Sequence, residues 1–150
     1  MRLVALVLTG LLTAAASGAS TASAAKKPAP YASETTDTVR ALRDRQRTTA
    51  VTVLGAMRAV RRVAEATGTN HSLPIGGGLM IQTAGLSGGK FAVSLLSPNA
   101  SGSIVGTTGG RLPQNGHATI GQNILRVAPR LTTEMVDGAV ATFLTKAAAN

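Results

Sequence analysis

Few residues in this 150-residue chain have the type and spacing to do chemistry. The turn Gly85–Gly89 runs into Lys90 as a phosphate loop would, but Ala84 stands where that loop needs its first glycine and Phe91 where it needs Ser or Thr. An apolar alternating run follows Lys90, so the segment reads as a hairpin turn with no helix N-terminus to face a phosphate. Ser87-Gly88-Gly89-Lys90 also spells the S-x-x-K of serine acyl-transfer enzymes, and Ser97-Pro98-Asn99 resembles their second motif. That chemistry needs the serine at the start of a helix, with the lysine one turn on. Two consecutive glycines oppose a helix there, and no K-T-G element follows.

His71 and His117 are the only histidines, and cysteine is absent. With Glu65, Glu134 or Asp137 the histidines have the chemistry for a metal site or an acid–base couple. Their neighbours are turn residues, so both read as loop histidines. The sequence therefore assigns no catalytic residue, no metal ligand and no cofactor, and it points away from an enzyme.

Arginine is what remains. Seven of the eleven arginines fall between Thr36 and Thr67. At about 100° per residue, Arg40, Arg43, Arg47, Arg58 and Arg61 form one stripe, with Arg62 at its edge. Arginine pairs bidentately with phosphate and carboxylate, so such a row makes an electrostatic track for an anionic surface or an acidic protein partner. The alternative is a solvated helix face whose side-chain stems lie over the apolar stripe beside it. No aromatic residue accompanies the row, so a specific nucleic-acid signal is missing. Its apolar flank is mainly Val and Ala, which does not suit a membrane-surface helix.

The element that positions the arginines is a helix over 36–67. Val39, Leu42, Ala50, Val53, Met57, Val60 and Ala64 recur at spacings of three and four, the pattern of a buried stripe. Thr36 or Asp37 is the expected cap, and Gly68-Thr69-Asn70 the expected stop. The β-branched run Thr48–Val53 lowers helix propensity and marks a possible kink or break. An unbroken rod, about 47 Å long, exceeds the ~36 Å breadth of a globule of this size. Such a helix overhangs, bends or meets a second subunit, and the apolar stripe is then the seam of a homo-oligomer.

From Gly68 to Gly121 glycine is frequent and the apolar runs are short. Leu79–Ala84, Lys90–Ser97 and Ser103–Thr108 read as a three-stranded antiparallel meander. Phe91, Val93 and Leu95 alternate most clearly. Ala118–Val127 and a segment capped by Thr132 or Thr133 then read as two C-terminal helices, the last with Val136, Val140, Phe143, Leu144 and Ala147 on one face. Glu134 and Asp137 in its first turn and Lys146 in its last suit the helix dipole. The expected fold class is α+β.

The first residues read as an export signal. Arg2 is followed by the apolar run Leu3–Leu12, and Ala22-Ser23-Ala24 offers small residues for cleavage. The apolar run is too short to span a bilayer, so no transmembrane span is expected once the signal is cut. The expected organisation is a signal peptide over 1–24, a Pro/Lys linker over 25–35 and one domain over 36–150, secreted or periplasmic.

Fifteen Lys and Arg stand against six Asp and Glu. Excising 1–24 removes only Arg2 and leaves +8 of the full chain's +9. Such a balance favours anionic partners and says nothing of fold. There are two Phe, one Tyr and no Trp, so any core is small and aliphatic. The function expected is an exported, non-enzymatic binding or assembly protein. The alternatives are a small-ligand or catalytic domain with its site in the glycine-rich 76–110 loops, and a structural subunit of a homo-oligomer.

Overall fold

The computed structural model describes residues 30–108 and 110–149, with backbone alone for 30–34. The expected export signal and the start of the linker lie outside these residues. The chain divides between Val39 and Arg40. Before that boundary the described residues are the opening turns of α1 (Pro30–Thr67).

α1 begins six residues before the expected Thr36 cap. A proline at the first helical position lacks only an N–H that would have no intrahelical acceptor, so Pro30 is a natural start. The helix runs unbroken through Thr48–Val53. Two of its β-branched residues, Thr49 and Val53, are buried, which offsets their lower helix propensity. It ends at Gly68, whose φ of 70° carries its N–H to the Ala64 carbonyl at 2.8 Å, the left-handed cap that glycine favours.

From Arg40 onward the protein is α+β: a four-stranded antiparallel sheet in the order β1-β2-β3-β4, covered on one face by helices. The strands are β1 (Ser72–Gly76), β2 (Leu79–Gly85), β3 (Phe91–Leu96) and β4 (Ser103–Val105). Three were expected, and β1 is the addition. Its Pro74 cannot donate to a ladder, which a sheet edge tolerates, and β1 is an edge. Gly77 and Gly78, with φ of 63° and 79°, close the β1–β2 hairpin; two consecutive positive φ values are what the type I′ turn needs. The β2–β3 connection is the hairpin turn expected before Lys90, closed by Leu86 N–H donating to the Lys90 carbonyl at 2.7 Å.

Alternation sets the inner face of the sheet. Leu73, Ile75, Leu79, Ile81, Phe91, Val93 and Leu95 are buried. All of these but Phe91 share one core with Val53, Leu54, Met57 and Val60 of α1 and with residues of α2 (His117–Val127) and α3 (Thr133–Ala149). α3 packs along β1, and α2 lies nearest β4. The Thr132 hydroxyl accepts from Met135 N–H at 3.2 Å and caps α3.

Three expected core assignments change. Val39 and Leu42 of the apolar stripe are about half exposed, whereas Ala50, Val53, Met57, Val60 and Ala64 are fully buried. Periodicity marks the face of a helix but not which turns are covered. Between Arg40 and Thr48 every side chain except Gln46 is exposed. Val53, Met57 and Val60 are taken up by the chain's own core and are not available as a seam between copies. Leu144 of α3 is also exposed, while Val136 on the same helix is buried and Val140 and Phe143 are half-buried.

Candidate anion-binding face

The arginine stripe on α1 falls into two groups. Arg40, Arg43 and Arg47 lie on the exposed turns, and Arg58, Arg61 and Arg62 lie where the opposite flank of the helix is buried. Eleven residues separate Arg47 from Arg58, about 16 Å along the axis. That is roughly twice the screening length at physiological salt, so the groups act as separate centres of charge. Arg47 meets Asp44 at 3.8 Å, with both side chains more than half exposed; such a pair contributes little. Arg43 and Arg62 are exposed. Arg45, outside the stripe, donates to the Pro129 carbonyl at 2.6 Å and ties α1 to the segment between α2 and α3.

The second group is organised by tertiary structure. Thr108 and Arg111 form an isolated antiparallel bridge, with Thr108 N–H donating to the Arg111 carbonyl at 2.8 Å and Arg111 N–H to the Thr108 carbonyl at 3.0 Å. The turn this closes is anchored to α1, because Arg61 Nη1 donates to the Gly110 carbonyl at 2.9 Å. As a result Arg111 stands beside Arg58 and Arg61. With Leu112, Pro113 and Gln114 they line a cleft of about 300 Å³ that contains no carboxylate. A second lobe, of about 220 Å³, adjoins it through Arg58, Pro113 and Gln114 and is completed by Val51, Leu54 and His117.

Arg111 was absent from the expected arginine set. Its only signal in the sequence is a lone arginine after a glycine pair, and nothing local shows that the turn folds back onto α1. The exposed arginines Arg40, Arg43, Arg47 and Arg62 do not line this cleft.

His71, His117 and Lys90 do not converge. His71 is half-buried: its Nε2 lies 3.1 Å from the Thr67 hydroxyl and 3.3 Å from that of Thr69. Its ring meets Phe143 edge to face at 5.5 Å between centroids. Its backbone N–H donates to the Thr83 hydroxyl at 2.8 Å, so His71 fastens α3 and β2 to the end of α1. His117 opens α2 and lines the arginine-side lobe. Lys90 is exposed after the β2–β3 turn, where Gly88 has a φ of 77° inside Ser87–Gly89. Ser87 therefore does not open a helix of the kind acyl transfer uses. Among the described residues, no three of His, Asp and Glu gather as metal ligands. Nor is any described helix long and apolar enough to cross a membrane.

Compared with family models, curated proteins and solved structures, the chain matches none.

Proposed function

We propose that this is an exported, non-enzymatic binding protein that holds an extended anionic partner along the arginine flank of α1. The supporting observation is the spacing of the two arginine groups, about 16 Å apart on one helix. A single small ion bridges no such distance; a polyanion or a charged surface does. Between the groups the flank carries Val51, half exposed, so contact there is apolar and the charges sit at either end. Export follows from the Met1–Ala24 signal pattern, and the excess of Lys and Arg over Asp and Glu suits a partner of opposite sign.

The test compares two variants of equal charge. One carries Arg40→Gln, Arg43→Gln, Arg47→Gln and Arg62→Gln; the other carries Lys90→Gln, Arg126→Gln, Arg130→Gln and Lys146→Gln. All eight side chains are exposed, so folding should survive. On phosphocellulose and heparin matrices the first variant should elute at clearly lower salt than the second. Equal elution means that net charge alone governs retention, and the proposed face is then wrong.

A further inference from the structure

We propose that the cleft between Arg58, Arg61 and Arg111 is a binding site for a phosphate monoester. The phosphoryl group sits among the guanidinium groups, and its small organic body lies in the adjoining lobe floored by Val51 and Leu54. The inference rests on the reading above only in sharing Arg58, Arg61 and Val51; Arg111 belongs to the cleft alone.

Three features carry it. The first is charge: three arginines line one cleft with no carboxylate on its walls. One guanidinium satisfies a carboxylate bidentately, so three exceed what a monoanion needs. A phosphate monoester carries about −1.5 to −2 near neutral pH and presents three acceptor oxygens. The second is preorganisation. Arg61 commits one donor to the Gly110 carbonyl, which fixes its fork and the turn bearing Arg111 together. A guanidinium has five N–H donors, so the others remain for an oxyanion. The third is the second lobe, which has apolar walls from Val51, Leu54 and Pro113 and polar tips from Gln114 and His117. An apolar recess with a few placed polar groups is how small organic molecules are held. Inorganic phosphate would leave this lobe unused.

Titration calorimetry on the full chain at low salt tests the site with four probes: inorganic phosphate, phenyl phosphate, benzenesulfonate and methyl phenyl phosphate. Phenyl phosphate should bind at least about tenfold more tightly than each of the others: the two monoanions give weaker charge-assisted hydrogen bonds, and inorganic phosphate leaves the apolar lobe empty. Arg111→Gln should weaken phenyl phosphate about tenfold or more, and Arg111→Lys should recover part of the loss. Val51→Gln should weaken phenyl phosphate while leaving inorganic phosphate unchanged. Equal binding of methyl phenyl phosphate would mean that the cleft takes the diesters of polymers or lipids and would overturn the monoester assignment. An equal loss in Arg126→Gln, remote from the cleft, would overturn the site itself. Arg111→Gln should leave retention on heparin, which carries sulfates and no phosphate monoester, near that of the unaltered chain, so failure of the cleft and failure of the extended face are read separately.

Discussion

Gly121 of α2 lies directly against the backbone of Gln46 in α1, so close that a methyl group at Gly121 would overlap the Gln46 carbonyl. The contact is backbone to backbone, and no side-chain rotation can relieve it. It sets the closeness of α1 and α2, and through them the position of the 111–117 segment that walls the arginine cleft.

Gly121→Ala should therefore destabilise the protein by about 1–3 kcal/mol, the usual cost of overpacking. Intrinsic helix propensity acts the other way, by about 1 kcal/mol in favour of alanine. The control is Gly138→Ala in α3, where an added methyl group meets nothing within 4 Å. That change should stabilise by about 0.4–1 kcal/mol. Urea denaturation of both variants measures the two signs, and equal effects would refute the close crossing.

Burial along α1 predicts a second contrast. Met57 is completely buried and Leu42 about half exposed, though both lie on the apolar stripe. Met57→Ala should cost about 2–5 kcal/mol by removing core contacts and leaving a cavity. Leu42→Ala should stay within about 0.5 kcal/mol. Comparable losses at the two positions would mean that the early turns of α1 are covered as well.

The Arg61–Gly110 hydrogen bond is exposed and predicts a local effect. Arg61→Gln should cost about 0.5–1.5 kcal/mol. It should also speed hydrogen exchange at the Thr108 and Arg111 amides while leaving β2 and β3 unaffected. Exchange unchanged at Thr108 and Arg111 would show that the turn holds its place without α1.

The sequence made the elements legible where one physical signal dominated. Alternation at Phe91, Val93 and Leu95 marked β3, and spacings of three and four marked α1 and α3. β1 was hidden because Pro74 and Gly76 argue against a strand; only its place at the sheet edge makes them acceptable. The exposure of Val39, Leu42 and Leu144 was hidden because periodicity records a face and not the extent of its cover. Half of the candidate cleft could be read from the spacing of Arg58 and Arg61. Arg111 could not, because a long-range hydrogen bond to Gly110 brings it there.

Both margins of the sheet are poor templates for further pairing. β1 carries Pro74 and an irregular register between Pro74 and Gly76, and β4 is only three residues long. A long, regular edge offers its unpaired amides and carbonyls to any other chain; these edges offer little. The sheet is thereby a poor template for polymerisation by strand addition, and Pro74→Val would remove part of that protection.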